Sequence, residues 1–88
     1  MSPGSNYTVE VTVENKPLAR DPEGETIHRN LILKGGYAQV TKVRAGKLLR
    51  MSVDAASRED ARQLVRNLCD ELRIYNPAAH VCQVRLVD

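Results

Sequence analysis

Tyr7-Thr8-Val9-Glu10-Val11-Thr12-Val13-Glu14, YTVEVTVE, alternates without a break: Tyr7, Val9, Val11 and Val13 fall on one side and Thr8, Glu10, Thr12 and Glu14 on the other. Strict period-two alternation is the pattern of a strand with one face buried and the other in water. The outward carboxylates also say something about neighbours, because opposite charges directly across a ladder stabilise the pairing. Two later segments carry the matching cations. Leu49, Met51 and Val53 alternate with Leu48, Arg50, Ser52 and Asp54, and Cys82, Val84 and Leu86 alternate with Gln83 and Arg85. A first strand lying between these two would set Glu10 and Glu14 against strands carrying Arg50 and Arg85.

Helical signals separate the strands. After Pro17 breaks the alternation, Asp21 is placed to cap a helix, and Pro22 suits the first helical position, where no backbone donor is needed. Glu23 adds negative charge to a first turn that favours it. Ile27 and Leu31 share a helical face, and Gly35-Gly36 ends the helix in the left-handed conformation that glycine adopts cheaply. Ser57 with Asp60 three residues on is a variant capping box. Behind it Ala61, Leu64, Val65, Leu68, Cys69 and Leu72 match the apolar template of an amphipathic helix at every position, until Asn76-Pro77 stops it. Tyr37 to Arg44 reads as a short, weak strand joined to the next by Ala45-Gly46.

The order is βαββαβ, an α+β class with an antiparallel sheet and two helices on one face, as in ferredoxin-like domains. The helix-free face would carry Leu48, Arg50, Val81, Arg85 and Val87, part charged and part apolar. Such a face on a small domain tends to be covered by another chain, so these residues are expected to serve self-association.

With 88 residues the chain is expected to be one domain over 7–88, with residues 1–6 a loose tail. There is no Phe or Trp and only 3 Tyr, so the core is built from aliphatic residues and large aromatic anchors for bases or cofactors are missing. Thirteen basic and 11 acidic residues interleave to a net charge of +2, which marks neither a nucleic-acid nor a membrane surface. Cys69 and Cys82 lie on buried faces without metal-ligand spacing and read as core thiols of a cytoplasmic protein. The start of the chain has no signal-peptide pattern, and no apolar run approaches a membrane span.

The residues offer no catalytic constellation. His28, beside Arg29 on the first helix, and His80, opening the last strand, have no carboxylate or serine placed for nucleophilic work. Tyr37 and Tyr75 follow helix ends, where the ring packs inward and the hydroxyl reaches water. The loop before the first helix offers only Gly24, too little for a phosphate cradle. No metal site is expected. Arg44-Ala45-Gly46-Lys47 is either a solvated hairpin turn or a display of two cations for an acidic partner. An RNA-recognition sheet would need aromatics where the central strands have Thr, Glu, Arg and Ser. An acylphosphatase-like site would need an Arg in the loop that reads Asn15-Lys16-Pro17-Leu18.

Taken together, the Val-rich first strand, Lys16, Asp21-Pro22-Glu23-Gly24 with Ile27 behind it, Gly36-Tyr37, Val40, the Val43-Arg44-x-Gly46-Lys47 hairpin, and Cys69, Leu72 and Asn76-Pro77 form an ordered series. In order and spacing it resembles the PurS family, the small subunits of phosphoribosylformylglycinamidine (FGAM) synthase in purine biosynthesis. The resemblance runs from about Tyr7 to the C-terminus. It implies a non-catalytic subunit, dimeric or tetrameric, that joins an ATP-dependent synthetase to a glutaminase so that ammonia from glutamine reaches formylglycinamide ribonucleotide. Glutamine, ATP and magnesium then belong to the partners, and no cofactor is the chain's own. On this reading Arg44, Gly46, Lys47, Asn76 and Pro77 face a partner, while Asp21, Pro22 and Gly24 fix the start of the first helix. A dimeric amino-acid-sensing (ACT-like) regulatory module with the same topology is the alternative.

Overall fold

β1 (Ser5–Asn15) lies between β2 (Gly46–Ala55) and β3 (His80–Val87) in an antiparallel sheet of order β2-β1-β3. The computed structural model describes residues 5–87. Glu10 sits opposite both Arg50 and Arg85, the cross-strand relation the alternation implies. Glu14 instead faces Gly46 and Val81. β1 starts two residues before the expected Tyr7. Ser5 and Asn6, read from the sequence as tail, continue the ladder opposite Ala55 and Asp54, and the Asn6 amide donates to Asp54 Oδ1 at 2.9 Å. The rest of the expected tail, residues 1–4, lies outside the described residues.

The inward face of the sheet carries Val9, Val11, Val13 and Val53, and α2 (Arg58–Glu71) covers it with Ala61, Val65 and Cys69. Ser57 caps α2 by accepting the backbone N–H of Asp60 at 3.1 Å. The helix ends before Asn76-Pro77: Arg73 takes a left-handed φ of 55° and the Ile74 N–H reaches back to the Cys69 carbonyl at 3.1 Å. The Tyr75 ring packs on the core while its hydroxyl donates to Asp70.

The α+β class, the antiparallel sheet and the strand order are those the sequence implies; two particulars differ. The first helix opens as α1 (Pro22–Thr26), widens into a π-helical stretch over Ile27–Leu33, and stops at Gly36, whose φ of 93° suits glycine. It packs against no strand among the described residues, so it does not share the sheet face with α2, and the molecule is drawn out to 54 × 27 × 15 Å. Residues 37–44 form no strand either. The reason lies in bonds to distant residues: Val40 accepts from His28, the Ala45 N–H goes to Asp21, and Arg44 reaches the loop after β1. These bonds hold the segment along the first helix and away from the free edge of β2. Tyr37, expected to pack inward, is consequently exposed, and His28, expected to face solvent, is half-buried against Val40.

Candidate functional site

Three connections meet at one end of the sheet, and their geometry starts from Asp21. Its carboxylate caps α1 by accepting the Gly24 N–H at 3.2 Å through Oδ1, and its Oδ2 accepts the Ala45 N–H at 2.6 Å. These two donors, Ala45 foremost, hold the buried carboxyl below the usual range, with Arg44 nearby adding to the effect. Gly24 permits the arrangement. A Cβ there would stand 2.5 Å from Asp21 Oδ2 and 2.6 Å from the Val43 carbonyl oxygen, closer than any side chain tolerates. The Asp-Pro-Glu-Gly run is thus a helix start, as read from the sequence, and also a clasp on residues 43–45, which the sequence did not disclose.

Arg44 closes the same junction from the other side. Its guanidinium donates to the carbonyls of Asn15 at 3.0 Å, Lys16 at 3.0 Å and Ala19 at 3.1 Å. A planar fork with several donors suits three carbonyls of one loop. This occupation is internal and ties residue 44 to the loop after β1. Gly46 is needed for close approach, since a Cβ would lie 2.8 Å from Glu14 Cγ. Lys47 is exposed.

The turn that carries Asn76 and Pro77 arrives beside them. Asn76 Oδ1 accepts the Ala78 N–H at 3.0 Å, its carbonyl accepts from Ala79 and His80, and its own N–H donates to His80 Nδ1 at 3.1 Å. The Lys16 N–H bonds to the Ala79 carbonyl at 3.1 Å, joining this turn to the loop after β1. A shallow recess of about 320 Å³ is lined by Glu14, Asp21, Glu23, Gly46, Lys47 and His80 among others. Gly46, Lys47 and His80 therefore line one recess, and Asn76 and Pro77 are not among its lining residues.

The helix-free face is the second feature. Glu10 accepts from Arg50 Nε at 2.9 Å and from Arg85 Nη2 at 2.8 Å, a carboxylate bridging both neighbouring strands. The bonds from Arg85 and then Arg50 lower its pKa. Leu48 lies opposite Thr12, Val81 opposite Glu14 and Val87 opposite Thr8, so the five residues read as outward share this face. Leu48 and Val81 are 48% and 39% exposed. Cys69 and Cys82 are free thiols in and beside the core, and burial raises the Cys69 pKa. Among the described residues no group of three or more His, Cys, Asp or Glu side chains is placed to hold a metal ion.

Residues 8–88 match the PurS family, phosphoribosylformylglycinamidine (FGAM) synthase. The chain belongs to the PurS family. The PurS subunit of this synthase from Thermotoga maritima is 37% identical over 75 residues, covering 85% of this chain and 89% of that one. A crystal structure of the Thermotoga maritima PurS subunit superposes with a TM-score of 0.84 at 34% identity, over 94% of this chain and 93% of the other. A chain of the structure of PurLQS from Thermotoga maritima gives a TM-score of 0.82 at 32% identity, over 94% and 99%. In PurS terms, the Asp21 clasp and the Arg44 fork build the frame, and the exposed groups around it are those with surface to offer. With nearly the whole chain matched to one family, the regulatory-module and hydrolase readings fall away.

Proposed function

We propose that this chain is the non-catalytic PurS subunit of a phosphoribosylformylglycinamidine synthase complex, acting in purine biosynthesis by joining an ATP-dependent synthetase to a glutaminase. The observation that carries the reading is the likeness, over nearly the full length, to a chain of the Thermotoga maritima PurLQS structure. The side chains support it. The strongest polar groups, Asp21, Arg44 and Glu10, are engaged with their own chain and hold its shape. Lys47, with Gly46, and the Asn76-Pro77 turn form the surface that meets a partner. Leu48, Val81 and Val87, framed by Arg50 and Arg85, form the face for self-association into a dimer or tetramer. ATP, magnesium and glutamine are handled by the partners, in the cytoplasm, and ammonia passes between them.

Reconstitution tests this. Glutamine-dependent FGAM formation is measured with synthetase, glutaminase and this chain, native or carrying Lys47→Glu with Asn76→Ala. Native chain supports turnover, and the variant lowers it by about tenfold or more. Equal turnover with the variant would remove the docking role from this surface.

A further inference from the structure

Two sulfurs from different layers of the molecule come to one point. Cys69 stands in the last turn of α2, on the stripe with Ala61 and Val65 that rests on the sheet, and is fully buried. Leu64 and Leu72 on the same helix stay exposed, so Cys69 lies where the helix–sheet contact is closest. Cys82 stands on β3 opposite Val13 of β1, half-buried against the same core. Arg66, three residues before Cys69, donates to the Cys82 carbonyl at 3.2 Å and holds this part of α2 over that point of β3.

Both thiols are free, and they meet side chain to side chain in a hydrogen bond across the helix–strand contact. Packing asks only for a small apolar side chain at each place. Two sulfurs in contact add a chemistry that packing does not use. The two are also unlike: Cys82 keeps part of its surface in solvent, whereas burial, and then the neighbouring Cys82 sulfur, raise the Cys69 pKa. A thiol exchanges as its thiolate and only where a reagent reaches it, so Cys82 reacts first and Cys69 second.

We propose that Cys69 and Cys82 are a reversible dithiol–disulfide site, oxidised by low-molecular-weight disulfides such as oxidised glutathione. The Cys82 thiolate attacks one sulfur of the reagent, RSSR, forming a mixed disulfide and expelling RS⁻. The Cys69 thiolate then attacks Cys82 Sγ, and the second RS⁻ leaves. One S–S bond breaks in the reagent and one forms between α2 and β3. The two thiol protons end on the two departing groups, and two electrons pass from the protein to the reagent. Under reducing conditions the pair stays open. When closed, it clamps the end of α2 to β3 and encloses the turn that carries Asn76 and Pro77. The site concerns the chain alone and does not rest on the amidotransferase reading.

Glutathione buffers running from fully reduced to fully oxidised test the pair on the full native chain, without denaturant. Remaining thiols are capped with a maleimide after acid quenching, and intact mass and peptide mapping read the products. The native chain loses both thiols together, gains no lasting glutathione, and yields a peptide in which Cys69 is joined to Cys82 of the same chain. Dithiothreitol restores both thiols. Cys69→Ala strands the intermediate, so Cys82 carries one glutathione. Cys82→Ser, at the partly exposed position, leaves a Cys69 that oxidises at least about tenfold more slowly than in the native chain. The native measurement stands even if a variant does not fold. A native chain that stops at a glutathione adduct on Cys82, one that forms disulfides only between chains, one that keeps both thiols across the series, or a Cys82→Ser chain whose Cys69 reacts at the native rate would overturn the proposal.

Discussion

Asp21 accepts the backbone N–H of Ala45 at 2.6 Å across 24 residues, so one carboxylate sets both the start of the first helix and the entry to β2. Its folded pKa is depressed. The stabilisation is therefore complete above the unfolded value, about 3.9, and is lost as pH falls through the folded one. Asp21→Asn brings an amide donor or a weaker acceptor to the Ala45 N–H. Thermal unfolding at pH 7 shows a lower midpoint for the variant, and the difference narrows in acid.

Gly24→Ala forces a Cβ onto Asp21 Oδ2 and the Val43 carbonyl. Neither neighbour is free to yield, since one is a bonded carboxylate and the other backbone. Overpacking of this kind costs about 1–3 kcal/mol, and roughly 4–8 °C of melting temperature per kcal/mol for a domain of this size. Calorimetry reads the loss, although alanine is the better helix former.

Glu10 bridges Arg50 and Arg85, and both bonds lower its pKa. With a folded value below the unfolded one, about 4.3, its contribution is full at neutral pH and fades as pH drops through the folded value. Glu10→Gln removes charge from both pairs. Its melting midpoint lies below that of the native chain at pH 7, and its acid-side slope is shallower.

The sheet was legible because its information is local and periodic: one alternating strand with two glutamates predicted its neighbours, and Glu10 between Arg50 and Arg85 is the outcome. The second helix was legible in its cap and spacing, yet the same template overstated its burial, since Leu64 and Leu72 belong to a flank the chain does not cover. The course of residues 22–45 was not legible. Ile27 and Leu31 look like a core-facing pair in sequence, and only the bonds of Asp21 and Arg44 to residues far along the chain show that they face away from it. The internal bonds of Arg44 were not legible for the same reason: a cation beside glycine looks displayed until the three carbonyls it binds are in view.

Arg44 and Lys47 should therefore separate. Arg44→Ala leaves three carbonyls of the 15–19 loop without their donor and lowers the melting temperature by several degrees, and Arg44→Lys, a single point donor, restores only part of it. Lys47→Ala leaves the melting temperature within about a degree and weakens binding to the partner enzymes. Paired unfolding and pull-down measurements distinguish the two.

On the proposed function this chain contributes shape and leaves the chemistry to others. Synthetase and glutaminase are assayed for glutamine-dependent FGAM formation with and without this chain, with ammonium supplied directly as the control, and the chain is assayed by itself. Glutamine-driven turnover depends on the chain, ammonium-driven turnover depends on it much less, and the chain alone turns over nothing. Turnover by the isolated chain, or full glutamine-driven turnover in its absence, would contradict it.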